Sequence, residues 1–429
     1  MLTSINPNTK NTMLTATRDF STPFVLLDLQ QMEHDVAALR RSLPNVEVWY
    51  AMKCNPHPQI IDTLTRLGVG FEAASTGEMG QLLDAGVSAA QIMCLHPIKS
   101  PAFLRAMHLV DVNVLAIDSQ DEVDKIARFA PGSRVVARVE MSGQGCRIPL
   151  AEKFGCTQNE VVELLAYSRQ RGLHPYGITM HVGSQCESPE TWEVALETCH
   201  GVCKRLTEAG MPPELISLGG GLPVPYTSDV PSIPEMGSTL SRAIERHLAV
   251  FNCRISIEPG RAIAAAAGTL VASVVGTATR AGTRWAYLDA GIYHGLFETL
   301  PTAGGLALPI ETEYEDRPTL SYRLAGPTCD SLDALPGMTP LPELQTGDRV
   351  AFRYAGAYST SLATCFNGFD APHTVVISSE SAVVESPFAL VSAAIVPPAE
   401  VENTAQMLSS ILAGLPVEEE YAQEILIRP

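Results

Sequence analysis

The chain has 429 residues, beyond the size at which one hydrophobic core keeps growing, so two domains are expected, one with room to be a barrel of about 250 residues. Its 29 basic and 47 acidic residues give a formal charge of -18 at pH 7, which argues against nucleic acid or an anionic membrane surface as a partner. No apolar run is long enough to span a bilayer and Met1 to Asp19 is too polar for a secretory signal, so the expected location is cytoplasmic.

In chain order, residues 1–21 read as a flexible arm. Thr22 to Asp28 reads as a strand and Leu29 to Leu43 as a helix with apolar residues at helical spacing. Residues 22–35 are expected to lend that strand to a second domain and lead into the first. Candidate strands then recur at Val46 to Tyr50, Val69 to Ala73, Ile92 to Leu95, Val112 to Ile117, Arg134 to Val139, Gly177 to His181, Leu215 to Leu218 and Ile255 to Glu258. Helix-like stretches separate them, among them Pro58 to Leu67, Glu78 to Ala85, Gln120 to Phe129, Glu160 to Arg171, Glu190 to Ala209 and Ile233 to Val250. Eight strands alternating with helices predict an α/β fold, a (β/α)8 TIM-like barrel over residues 36–265. After Arg261 the texture changes to β-rich pieces joined by Gly/Pro loops, which predicts a mostly antiparallel C-terminal β domain over 266–429. Pro397 to Gly414 reads as a terminal helix and Glu418 to Glu420 as a solvated charge run.

Chemistry gathers at the ends of the predicted barrel strands. Val46-Glu-Val-Trp-Tyr-Ala-Met-Lys-Cys-Asn55 is an apolar, β-favouring run that stops at Lys53, where a barrel would place a catalytic amine. Leu218-Gly-Gly-Gly-Leu-Pro223 offers backbone N–H groups to an anion through Gly219, Gly220 and Gly221. Glu258-Pro-Gly-Arg261 ends the eighth strand, and the loops after the last two barrel strands commonly hold phosphate. His181-Val-Gly-Ser184 adds an imidazole and a hydroxyl to the same mouth. A lysine, a phosphate cradle and a carboxylate together suggest pyridoxal phosphate, with the lysine as covalent anchor and the acid keeping the pyridine nitrogen protonated. Neither GxGxxG nor GxxxxGK[ST] is present, so dinucleotide and P-loop readings lose ground. The ten cysteines include no C-x-x-C pair or Cys/His ligand cluster, which argues against zinc or any other metal and against a disulfide framework. Cys199 and Cys203 would lie one turn apart on a helix, as small core residues.

Further segments complete an ordered set. Tyr50-Ala-Met-Lys-Cys-Asn55, Gly70-Phe-Glu-Ala-Ala-Ser75 with Glu78, Cys146-Arg147 before Lys153-Phe-Gly155, His181-Val-Gly-Ser184, Gly219-Gly-Gly221, Glu258-Pro-Gly-Arg261, Gly326-Pro-Thr-Cys-Asp330, Gly356-Ala-Tyr358 and Phe366-Asn-Gly-Phe369 follow one another here. In that order, over roughly residues 22 to 395, the chain resembles the fold-type III pyridoxal-phosphate decarboxylases of the ornithine/diaminopimelate family, most closely ornithine decarboxylase. The resemblance implies a cofactor-carrying barrel followed by a β domain, and a homodimer with two shared active sites. It makes Lys53 the Schiff-base lysine, stacks His181 on the cofactor ring and pairs Glu258 with the pyridinium nitrogen. Ser184, Gly219, Gly220, Gly221, Gly260, Arg261 and Tyr358 would hold the phosphate, with Glu72, Glu78 and Arg147 supporting the pocket. Cys329 and Asp330 would reach in from the partner subunit, the thiol returning a proton to the carbon that loses carbon dioxide and the acid binding a distal amine. Tyr293, Tyr358 and Phe366 would complete the substrate site.

The expected activity is decarboxylation of an amino acid, with a basic L-amino acid, ornithine or lysine, as the leading substrate and its diamine as product. Two departures from the family's pattern bear on that choice. Glu72 stands where ornithine decarboxylases usually have aspartate, and Glu298-Thr-Leu-Pro-Thr302 carries no aspartate at the place of one distal carboxylate. Decarboxylation of diaminopimelate, or of an unusual or conjugated amino acid, stays open. So do a racemase on the same barrel and a non-catalytic binding relative.

Overall fold

The computed structural model describes residues 14, 17–150, 152–226, 230–314, 316–377 and 382–384. The expected terminal helix and the charge run at 418–420 lie outside them. β1 (Phe24–Asp28) leads directly into α1 (Leu29–Ser42), whose N-cap Asp28 accepts hydrogen bonds from the N–H groups of Gln30 and Gln31. The barrel strands follow as β2 (Glu47–Ala51), β3 (Gly70–Glu72), β4 (Ile92–Met93), β5 (Val114–Ile117) and β6 (Arg134–Arg138). A small ribbon strand, β7 (Cys146–Ile148), precedes β8 (His174–Thr179), and a second, β9 (Ser184–Cys186), precedes β10 (Leu215–Ser217) and β11 (Arg254–Ile257). The eight barrel strands are all parallel, in the order β4-β3-β2-β11-β10-β8-β6-β5, and a parallel bridge from Cys94 to Leu115 joins the two ends of the sheet. Each of the eight expected strands is present, trimmed or shifted by one to three residues.

Alternation along the strands makes two cores. Val48 and Tyr50 of β2 face the surrounding helices, whereas Trp49 points inward to meet Met93, Val114, Val136, Tyr176 and Leu215 inside the barrel. The helices begin where the sequence caps them. The helix at Gln158–Gln170 opens on a Thr157/Glu160 capping box and that at Ile233–His247 on a Ser232/Glu235 box, each cap contributing about 1 kcal/mol. The helix at Pro101–Leu109, capped by Ser100 with proline at its first position, is one that periodicity alone does not single out. Cys199 and Cys203 are fully buried in the helix at Pro189–Glu208, as small core residues.

The second sheet contains nine strands and is mixed. Its long β12 (Gly268–Arg280) pairs antiparallel with β13 (Thr283–Leu288) and β1. β14 (Ile310–Thr312), β15 (Thr319–Ala325), β16 (Thr339–Pro342), β17 (Arg349–Arg353), β18 (His373–Ile377) and β19 (Ala382–Val384) complete it. β1 runs parallel to β18, and β13 parallel to β15. β14 and β16 are edge strands of three and four residues, too short to show the alternation by which a sequence announces a strand. Residues 17–21 are not loose. Arg349 donates to the carbonyls of Thr17, Arg18 and Phe20, and Arg18 pairs with Glu313, so the end of the expected arm packs on the second sheet. No described helix is long and apolar enough to cross a membrane.

Candidate active site

β2 ends at Ala51, and Met52–Cys54 makes one tight 3-10 turn that buries Met52 and Cys54 and leaves Lys53 exposed, lining a cavity that opens to solvent. The turn is clamped from the second domain. The Tyr358 N–H and the Ser361 hydroxyl both donate to the Cys54 carbonyl, at 2.9 and 3.0 Å, and the Asn55 amide donates to the Gly356 carbonyl at 2.9 Å. Burial pushes the Cys54 thiol up to about 12, so it serves packing rather than chemistry.

His181 and Glu258 flank the amine. His181 Nδ1 accepts the Gly183 N–H at 3.0 Å, so the neutral ring carries its proton on Nε2. Burial, reinforced by the positive charges of Lys53 and Arg138, lowers its pKa to about 3 and keeps the imidazole neutral. Glu258 behaves in the opposite sense. Burial and the nearby Glu72 carboxylate raise it to about 7, although the Ser217 hydroxyl donates a short hydrogen bond to its Oε1. A carboxyl group that exchanges its proton near neutrality, held by a serine at the end of β10, faces the centre of the cavity.

The far end of the cavity is built for an anion. Gly221 has φ of +115°, and a Cβ there would lie 2.2 Å from the Gly183 carbonyl; one on Gly220 would lie 2.7 Å from the Glu258 carbonyl. Only glycine lets the backbone approach so closely. Arg261 enters from the start of the four-residue helix at Arg261–Ala264 and is 4 % exposed. Its Nε and Nη2 donate to Ser184 Oγ at 3.3 and 3.2 Å, and its guanidinium lies 4.9 Å from the Tyr358 ring centroid. Glu298 holds the other edge of the fork with two bonds of 2.6 and 2.7 Å, and Tyr226 OH accepts a third at 2.8 Å.

A second cluster lies on the β domain, away from this cavity. Tyr293 OH donates to Asp330 Oδ2 at 3.0 Å, the Tyr293 and Phe366 rings are 4.6 Å apart, and the Cys329 N–H donates to the Asn367 side chain at 3.1 Å. Asp333 ties the loops together, accepting from the Ile292 and Thr328 N–H groups and from the Thr328 hydroxyl. Cys329 is exposed and Asp330 is half-buried.

Nine expected residues therefore share one cavity: Lys53, His181, Ser184, Gly220, Gly221, Glu258, Gly260, Arg261 and Tyr358. Glu72 is buried at the end of β3 near Glu258, Gly219 accepts the Glu258 N–H behind the cradle, and Glu78 accepts the Ala74 N–H at 2.7 Å. Arg147 stands apart from these. It sits on the exposed ribbon strand β7 and its Nε pairs with Glu187 at 3.0 Å instead of lining the cavity. The arginine electrostatically linked to His181 and Glu258 is Arg138, the last residue of β6, with its own pKa lowered by burial. The strand-end rule that singles out Lys53 would have found it. Ser217 answers to the same rule, whereas Glu298 and Tyr226 carry no local signal because their contact with Arg261 is made across the fold.

These residues fit pyridoxal phosphate: a single exposed amine at a strand end, a glycine cradle that a Cβ would fill, a buried guanidinium with a hydroxyl, and a buried carboxyl able to hold a proton. Residues 29–265 match the family model described as "Pyridoxal-dependent decarboxylase, pyridoxal binding domain". The lysine/ornithine decarboxylase of Selenomonas ruminantium is 33% identical over 367 residues, covering 85% of this chain and 92% of that protein. The crystal structure of the lysine/ornithine decarboxylase of Vibrio vulnificus complexed with putrescine aligns with a TM-score of 0.79 at 31% identity, covering 88% of this chain and 100% of that one. The arginine decarboxylase of Paramecium bursaria Chlorella virus, bound to agmatine, aligns with a TM-score of 0.80 at 27% identity, covering 86% and 99%.

Proposed function

The chain belongs to the pyridoxal-dependent decarboxylase family, and from that premise we propose that it removes the α-carboxyl group of a basic L-amino acid, ornithine or lysine, releasing the diamine and carbon dioxide. The observation that carries the substrate reading is the Tyr293–Asp330 pair beside Phe366: a half-buried carboxylate with a phenol and an aromatic wall, suited to an ammonium or guanidinium group. The names of the Selenomonas and Vibrio relatives support it.

In this reading Lys53 anchors the cofactor, Arg261, Ser184, Gly220, Gly221, Gly260 and Tyr358 hold its phosphate, and Glu258 faces its ring nitrogen. When bound, pyridoxal phosphate supplies an electron sink for the carbanion left by loss of carbon dioxide. Glu258 holds a proton at the ring nitrogen, and Ser217 fixes the carboxyl that does so. Neutral His181 takes no charge from the ring and presents a flat face to it. Cys329 carries the proton due to the substrate carbon on Sγ. Cys329, Asp330, Tyr293 and Phe366 do not line the cavity that Lys53 enters, which supports a homodimer whose partner subunit closes each site.

A second reading keeps the reaction and changes the substrate. Thr302, in the exposed turn at Pro301–Ala303, stands where relatives of the resembled group carry a second distal carboxylate, which favours an unusual or conjugated amino acid with a weaker demand for a distal cation. Measuring carbon dioxide release from ornithine, lysine, arginine, diaminopimelate and N-acylated derivatives separates the two. Turnover of ornithine or lysine well above the rest supports the first, and a preference for a substrate without a free distal amine overturns it. Lys53→Ala should lose both visible absorbance and turnover.

A further inference from the structure

Ribbon strands β7 and β9 place Cys146 directly opposite Cys186. The position is a non-hydrogen-bonded one. Cys146 N–H goes to the Gly143 carbonyl and Cys186 N–H to the Gly221 carbonyl, while the flanking Glu187 N–H donates across the ribbon to Gly145. Opposed residues at such sites have Cα atoms about 4.5 Å apart, within the span a disulfide bridges. Both thiols are reduced: Cys146 Sγ donates to the Val182 carbonyl at 3.1 Å and Cys186 Sγ to the Ser188 carbonyl at 3.8 Å, and the proximity of the two sulfurs pulls the Cys186 thiol below its ordinary value and pushes the Cys146 thiol up. Cys146 is half-buried and reachable, whereas Cys186 is fully buried.

What the ribbon carries gives the pair its significance. β9 begins with Ser184, which holds Arg261, and β7 pairs Ile148 with Ser184 before the chain reaches Leu150 at the cavity wall. The backbone of Cys186 is tied to Gly221 of the anion cradle.

We propose that Cys146 and Cys186 form a modification site, a dithiol that hydrogen peroxide closes to a disulfide, locking the ribbon over the phosphate end of the cavity and slowing exchange through it. The thiolate of the pair attacks one peroxide oxygen, the O–O bond breaks, and the departing oxygen leaves as water after taking a proton. The sulfenic acid so formed is attacked by the second sulfur; the S–O bond breaks, the S–S bond forms, and the remaining thiol proton leaves with the second water. Two thiols are oxidised by two electrons in all, and the peroxide is reduced to two waters. A thiol reductant reverses the change.

The test treats the holoenzyme with hydrogen peroxide, blocks remaining thiols with an alkylating reagent and maps peptides without reduction. A Cys146–Cys186 cross-linked peptide is expected. Both residues recovered separately alkylated, under a dose that oxidises the exposed Cys329 or Cys365, overturns the proposal. The second readout is the rate at which hydroxylamine strips the visible absorbance. In oxidised wild type this rate should fall by roughly threefold or more, because a cross-link suppresses local opening, and recover with dithiothreitol. Cys146→Ser treated in the same way should show no fall. Equal rates in oxidised wild type and oxidised Cys146→Ser overturn the gating role. The change in rate also separates the bridge from oxidation of Cys329, which the serine variant retains.

Discussion

Burial acts on His181 and Glu258 with opposite consequences for charge, and both consequences suit the ring they would face. A carboxyl raised to about 7 is favoured in its protonated form by the fold. The stability it contributes is present below the ordinary carboxylate range and is lost as the pH rises through about 7. In cofactor-free protein, Glu258→Gln should therefore raise the melting temperature relative to wild type at pH 8 and leave the difference near zero at pH 5; an equal shift at both values would contradict the burial argument. In the holoenzyme the same substitution should lower kcat by about a hundredfold or more, since the amide cannot supply the proton. Asp330 answers a separate question. Asp330→Asn should weaken kcat/KM for ornithine or lysine by at least about tenfold, or ~1.4 kcal/mol, with cofactor absorbance unchanged. Full activity in that variant would remove the distal-amine reading while leaving the decarboxylase intact.

At the scale of elements, short turns at the strand ends do the positioning. The 3-10 turn at Met52–Cys54 presents Lys53 and is held by the loop at 356–361, and the turn at Phe297–Thr299 delivers Glu298 to Arg261. The Arg261 side chain is 4% exposed and that of Glu298 14%, so their pair is nearly out of water. Glu298→Ala would leave a buried guanidinium with only hydroxyl partners. We expect a loss of roughly 3–5 kcal/mol in chemical denaturation of the cofactor-free protein, partly restored by millimolar inorganic phosphate, because an anion can replace the missing carboxylate. A loss within experimental error, or no rescue by phosphate, would mean that Arg261 is held by packing alone.

For the whole molecule, the central question is what covers the exposed Cys329 and the half-buried Asp330 beside it. Leu332 is 63% exposed, and Phe366 and Phe369 are also exposed on the same domain, more apolar surface than a lone site rim requires. If each cavity is completed by a second chain, two inactive variants, Lys53→Ala and Cys329→Ala, should regain activity when mixed under subunit exchange. Random reassortment makes half the dimers hybrid with one intact site each, so recovery should approach about a quarter of wild-type sites. No recovery, with exchange verified by a tagged subunit, would show that one chain builds the whole site.

Periodicity and composition determined the barrel. Eight apolar runs separated by helical stretches admit few other arrangements, and the lysine, glycines, glutamate and arginine at their ends were legible because a parallel barrel brings all its strand ends to one mouth. Much of the second sheet was legible in the same way, but its parallel pairings and its two short edge strands were not, since pairing partners and edges leave almost no local pattern. What only the tertiary structure decided are the contacts made across the fold. Arg138 lies within electrostatic reach of His181 and Glu258, and Arg147 pairs with Glu187, because β6 ends among the converging barrel strands while β7 belongs to a separate ribbon. Glu298 reaches Arg261 across 37 residues, Asn55 reaches Gly356 across 301, and Cys329 and Asp330 do not line the cavity that Lys53 enters. Such contacts depend on where the chain returns in space, and the residues on either side of each contact carry no trace of that return.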